Sequence, residues 1–137
     1  MRRSTFNYIE DILRDYPNYD TYIRECEQEI RYPHTESDEN IGGSRSVRKQ
    51  EHLTETIVRI DEDKRIRQMK RQQRAVANCL DRSNSDIVYQ MCKELYFMNK
   101  RRLTLDGVAY KLNVSRRTLI RRREDFFIDL AKELGMQ

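Results

Sequence analysis

Arginines carry the strongest chemical signal in this chain. Arg116, Arg117, Arg121, Arg122 and Arg123 crowd into eight residues within LDGVAYKLNVSRRTLIRRR, Leu105 to Arg123. A guanidinium stays charged and offers a planar fork of donors, which suits bidentate bonds to phosphate or to a guanine edge. Arg117 and Arg121 stand four apart and share one helix face. With Arg116 and Ile120 beside them they are the candidates for base contact. Exposed, Ile120 would meet a thymine methyl; otherwise it is core. Lys100, Arg101, Arg102, Ser115, Thr118, Arg122 and Arg123 are the candidates for phosphate contact. From Lys100 to Arg123, nine Lys or Arg (100, 101, 102, 111, 116, 117, 121, 122, 123) stand against one acid, Asp106. Considered alone, such a run is a solvated helix face; its setting points to DNA.

That setting is a helix-turn-helix pattern. A first helix puts Val108, Ala109 and Leu112 on one apolar face, with small Ala109 where a second helix crosses closely. Asn113 suits a left-handed turn residue, Val114 fills the corner, and Ser115 is a good N-cap for a helix beginning at Arg116. Along it Leu119, Phe126 and Leu130 recur at seven and four, the spacing of a face packed on its own domain, while Arg117 and Arg121 point away. Arg122 stands three residues after Leu119, where such motifs keep an apolar side chain. Either its stem snorkels past the core or the helix is rotated slightly.

Catalysis finds little to work with. His34 and His52 are the two histidines, no His or Cys cluster has metal spacing, and no glycine-rich phosphate loop or nucleophile motif occurs. The reading is therefore no enzyme, no metal and no cofactor. Cys26, Cys79 and Cys92 are odd in number and sit at apolar helical positions, as buried free thiols do in a reducing cytoplasm. There is no long apolar run or signal segment, so the expected protein is soluble and intracellular, with no membrane partner.

Composition favours helix: of 137 residues, 36% are charged, 37% hydrophobic, and only six are Gly or Pro. The expected fold is all-α in four parts. Residues 1–32 form a helical hairpin, with Phe6, Ile9 and Leu13 on its first helix, a stop at Tyr16-Pro17, and Tyr19, Tyr22, Ile23, Cys26 and Ile30 on its second. Its tyrosines read as packing rather than as a stacking platform for single-stranded bases, because Glu25, Glu27 and Glu29 repel phosphate. Residues 33–47 form a polar linker in which Ile41, the one apolar residue of the Asn40-Ile41-Gly42-Gly43 turn signal, hints at docking. Residues 48–82 form one long helix supported by Glu55/Arg59, Asp61/Arg65 and Asp63/Arg67. Its seam (Leu53, Ile57, Ile60, then Ile66, Met69, Val76, Leu80) is interrupted at Lys64 and Gln73, and asks for the hairpin or a second copy as partner. Residues 83–137 form the reading head, in which Asn84-Ser85 caps a helix carrying Ile87, Val88, Met91, Cys92, Leu95 and Met98.

The stretch SNSDIVYQMCKELYFMNKRRLTLDGVAYKLNVSRRTLIRRREDFFIDLAKELG resembles the DNA-binding fourth region of bacterial sigma factors. The full layout, with YPNYDTYI, EIRYP, DENIGG and a terminal LAKELG in that order, is similar to the phage late transcriptional regulators of the RinA and ArpU type. The resemblance implies an activator of an operon for packaging, structural and lysis functions, acting on promoter DNA with host RNA polymerase. Two other readings stay open on the residues: a small-terminase-like packaging factor, whose head is usually N-terminal, and a helical adaptor that binds protein only.

Overall fold

The computed structural model describes residues 1–32 and 45–136, giving backbone alone for 45–51. The expected linker, Ile41 included, lies outside the described residues up to position 44. The described elements are helical: α1 (Arg3–Asp15), α2 (Tyr19–Arg31), α3 (Arg45–Glu62), α4 (Lys64–Ser83), α5 (Asp86–Cys92), α6 (Leu105–Lys111) and α7 (Arg116–Glu133). A 3-10 turn spans Tyr16–Asn18 and a π turn Lys93–Phe97. No strand occurs among the described residues, so the fold is all-α as expected.

The chain forms two compact units, Met1–Tyr19 with Arg71–Gln137, and Asp20–Lys70. These boundaries cut across both the 1–32 hairpin and the 48–82 helix expected from sequence. Pro17 causes one 3-10 turn, at whose start its missing N–H costs no hydrogen bond. The backbone stays helical on either side, at Tyr16 and at Tyr19.

In the first unit, α1 buries Ile9, Ile12 and Leu13. The second half of α4 buries Ala75, Val76 and Cys79. Polar clamps hold its end to the end of α7: Arg82 meets Glu133 at 2.7 Å and Asp129 at 3.6 Å. Asn78 donates to Glu133 at 3.3 Å, and the Arg71 guanidinium donates to the Leu134 carbonyl at 3.0 Å. Tyr19 donates to Gln72 Oε1, and the Gln72 amide donates to the Tyr8 hydroxyl. Burial raises the Tyr19 pKa, with Asp15 adding to the effect. Tyr19 is buried and thus serves packing, as expected, whereas Tyr22, expected on the same face, is exposed.

In the second unit, the long central helix breaks at Asp63. The Asp63 carboxylate accepts hydrogen bonds from the amides of Arg65 at 2.9 Å and Ile66 at 3.1 Å, ending α3 and capping α4. Two of the expected four-apart pairs are replaced in consequence. Arg65 meets Asp63 and Glu29, each at 3.4 Å, and Arg67 Nε donates to the Asp61 carbonyl. The expected seam on α3 is also shifted: Thr56 and Ile60 are buried, whereas Leu53 and Ile57 are exposed.

Candidate nucleic-acid interface

The interface is built from α7 outward. Ser115 has extended backbone, and its hydroxyl accepts from the Thr118 amide at 3.1 Å while donating to the Thr118 hydroxyl at 2.8 Å. Helix α7 therefore begins at Arg116, with its phase fixed by that cap. Asn113 turns the chain at φ 57°, and the Val114 amide returns to the Ala109 carbonyl at 3.0 Å. A left-handed residue between two helices is what Asn tolerates better than a branched side chain. Upstream, Thr104 caps α6 by accepting from the Gly107 amide.

Packing then decides which α7 side chains face water. Leu119, Phe127 and Leu130 are fully buried, and Phe126 and Ala131 nearly so. α6 supplies Val108 and Ala109 to that core, α5 supplies Val88, Met91 and Cys92, and the π turn supplies Leu95. Arg117 and Arg121 lie opposite Leu119, with Arg116, Thr118 and Arg122 on its flanks, all five exposed. Ile120 is half-buried beside them. Lys100, Arg101 and Arg102 are exposed in the segment entering α6, where Arg101 Nε donates to the Leu103 carbonyl at 2.8 Å.

Most of these cations are loosely committed. Arg116 meets Asp106 at 3.3 Å, but both side chains are mostly exposed, and such a pair in water is worth about 0–1 kcal/mol. Arg122 reaches the Ser85 hydroxyl at 3.4 Å, a weak contact. Lys111 is committed differently, since its ammonium pairs with the buried Glu94 and ties α6 to the π turn.

Arg123 does not stand with the exposed group. Four residues after Leu119 and three before Phe126, it falls on the inward stripe, and its guanidinium lies over the Phe6 ring at 5.0 Å. Its Nε is buried without a hydrogen-bond partner. The expected phosphate contact at Arg123 would have to be made from this partly buried position. The uncertainty over Arg122 is answered by rotation: the inner place goes to Arg123, and Arg122 stays in water. The spacing 119, 123, 126, 127, 130 carried this signal, obscured by the charge of Arg123.

Sequence reasoning also missed α1 as part of this unit. Phe6 and Phe127 rings lie 4.8 Å apart, Tyr16 and Phe97 5.2 Å. Tyr96, buried in the π turn, donates to Glu10 at 2.8 Å. Burial and then the Glu10 carboxylate raise its pKa, opposed by the nearby Arg123 cation. No metal-binding cluster occurs among the described residues.

Residues 6–132 match the family model described as Protein of unknown function (DUF722), and the chain belongs to that family. It is also 29% identical over 139 residues to the transcriptional activator rinA of Staphylococcus phage phi11, covering 98% of this chain and 94% of that protein. The likeness to RinA-type phage regulators seen in the sequence layout thus extends over nearly the whole chain. No solved structure matches significantly.

Proposed function

We propose that this family member is a phage transcriptional activator that binds double-stranded promoter DNA sequence-specifically through the outer face of α7. In this reading it switches on a late operon for packaging, structural and lysis functions, working with RNA polymerase on the nucleoid of the host cytoplasm. The observation that carries the proposal is the division of α7 into two faces. One face is sealed by Leu119, Phe127 and Leu130, and the other presents Arg117 and Arg121 to water.

Arg117, Arg121 and Arg116 read base edges in the major groove, with Ile120 at their margin. Lys100, Arg101, Arg102, Thr118 and Arg122 hold phosphates. Ser115 fixes the start of α7, and Thr118, which accepts the Ser115 proton, keeps its own hydroxyl proton for a phosphate oxygen. The name of the phi11 relative supports activation as the sign of the effect. The chemistry is binding rather than catalysis, and no described helix is long and apolar enough to cross a membrane.

The test is selection of genome fragments by the purified protein at near-physiological salt, repeated with Arg117→Ala. One promoter-like site enriched by the wild type and lost in the variant is the expected result. Uniform weak retention of all fragments would overturn sequence-specific regulation in favour of a packaging factor. No retention would leave a protein-only adaptor.

A further inference from the structure

We propose that Asp106 is a positioning residue for base reading: it holds the Arg116 guanidinium in the orientation that selects guanine at one base pair of the DNA site. This inference rests on the DNA-binding reading of α7 and deepens it. Among the described residues, Arg116 alone of the four exposed α7 arginines has a carboxylate partner, its Nε lying 3.3 Å from Asp106 Oδ1. Asp106 is also the one acid between Lys100 and Arg123. On a surface that meets phosphates a free carboxylate would repel the DNA, whereas one held against a cation is masked.

Two caps bring the pair together. Thr104 accepts from the Gly107 amide and fixes the start of α6, while Ser115 accepts from the Thr118 amide and fixes the start of α7. The Val114 amide, bonded to the Ala109 carbonyl at 3.0 Å, ties the turn between the two helices. Asp106 and Arg116 therefore meet across two fixed helix starts. With the Arg116 and Asp106 side chains 64% and 71% exposed, the pair contributes little to stability, so holding the fold together does not account for it.

What the pair changes is the arginine. The carboxylate reaches the guanidinium at Nε, on the stem side, and the fork of terminal nitrogens lies beyond that contact. A guanidinium so restrained loses less rotamer freedom when its fork meets guanine O6 and N7. Its charge is also offset, so Arg116 gains little from the diffuse attraction of phosphates and keeps the directional bonds that tell one base from another. When DNA covers the pair and displaces water, the attraction between its two charges strengthens.

Selection from a randomised duplex pool, followed by competition binding of the enriched duplex and its single-base variants, tests the proposal. The proteins are the wild type, Asp106→Ala, Arg116→Ala and the double variant. The wild type should prefer guanine at one position by about five- to hundredfold, the discrimination of a bidentate arginine, and Arg116→Ala should lose that preference. Asp106→Ala should reduce the same preference at least about threefold, yet bind random duplex no more weakly than the wild type, because a repelling carboxylate has gone. In the Arg116→Ala background, removing Asp106 should change no base preference. An unchanged guanine preference in Asp106→Ala, or one that survives Arg116→Ala, would overturn the positioning role and leave the DNA-binding reading intact. So would an equal loss on enriched and random duplex accompanied by a lower unfolding temperature, which would make Asp106 a support of α6. No enrichment by the wild type would overturn the DNA-binding reading itself, and this inference with it.

Discussion

The Arg123 guanidinium lies over the ring of Phe6, 5.0 Å from its centroid, although 117 positions separate the two in the chain. The same Phe6 ring meets Phe127 one turn further along α7. A cation placed on an aromatic face is attracted by the ring quadrupole, and more strongly where water is excluded. Through this pair, α1 is bound to the helix that carries the exposed arginines, and the candidate interface rests on the first residues of the chain as much as on the last.

Adjacent arginines should therefore fail in different ways. Arg123→Ala should lower the stability of the folded chain by about 1 kcal/mol, through the lost ring contact and packed stem, and leave the salt dependence of DNA binding unchanged. Arg122→Ala should leave stability within about 0.5 kcal/mol and reduce the slope of log affinity against log salt by about 0.9. Thermal unfolding and anisotropy titrations at several salt concentrations measure both. An exchange of the two phenotypes would show that Arg123 swings out to meet phosphate.

The break at Asp63 is a matter of one carboxylate. Asp63→Ala should cost about 1 kcal/mol, the usual worth of an N-cap, whereas Asp63→Asn should retain most of it. Although partial burial pushes the carboxyl up, the Ile66 amide and the Arg65 side chain together hold it below its ordinary 3.8. A lowered folded pKa means that the contribution is complete above the unfolded value and is lost as pH falls through the folded one. The gap in denaturant unfolding between wild type and Asp63→Ala should accordingly narrow, without closing, as pH falls below the ordinary 3.8 through the folded pKa. A constant gap over that range would mean that the charge of Asp63 is irrelevant.

Thiol chemistry separates the three cysteines. Burial pushes the Cys79 thiol up to about 12, with Asp129 adding to the effect, and burial alone takes Cys92 to about 12. At pH 8 neither offers a useful fraction of thiolate, whereas Cys26 is partly exposed. Mass spectrometry after brief alkylation of the folded protein should find one modified site, Cys26, and three after denaturation. Early labelling of Cys92 would place the π turn in rapid local unfolding.

Helix phase was legible in the sequence wherever a cap or turn residue fixed it. Ser115, Ser85 and Asn113 stand as their types require, and Leu119, Phe126 and Leu130 are buried as their spacing demands. The departures arose where one residue type has two uses. Asp63 served equally as a four-apart partner or as a cap, and only the competition for the Arg65 and Ile66 amides decides. Charge placed Arg123 among the phosphate candidates, whereas its position on the 119–130 stripe placed it inside. Pro17 reads as a stop, yet a proline at the second position of a 3-10 turn, where its missing N–H is not needed, interrupts little. That α1 and the second half of α4 complete the reading unit depends on contacts between distant segments, such as Arg82 with Glu133, which no local pattern encodes.

The two sets of exposed cations should separate by their effect on specificity. Arg117 and Arg121 stand one turn apart on the face opposite Leu119, within reach of base edges if α7 enters the major groove, and a bidentate pair with guanine discriminates by about 1–3 kcal/mol. Each alanine substitution should therefore cost about 1–3 kcal/mol at the selected site and far less on random duplex. Arg101 and Arg102 precede α6 in a segment without regular secondary structure, which suits phosphates rather than base edges. Their replacement should weaken all duplexes alike and flatten the salt slope by about 0.9 per lost contact. Because the two sets share no partner, their effects should add within about 0.5 kcal/mol in the combined variant. Competition binding with cognate and random duplex at two salt concentrations yields both quantities from the same proteins. If Arg117→Ala weakened both duplexes equally, the outer face of α7 would hold the backbone and the specificity would have to come from the shape of the DNA.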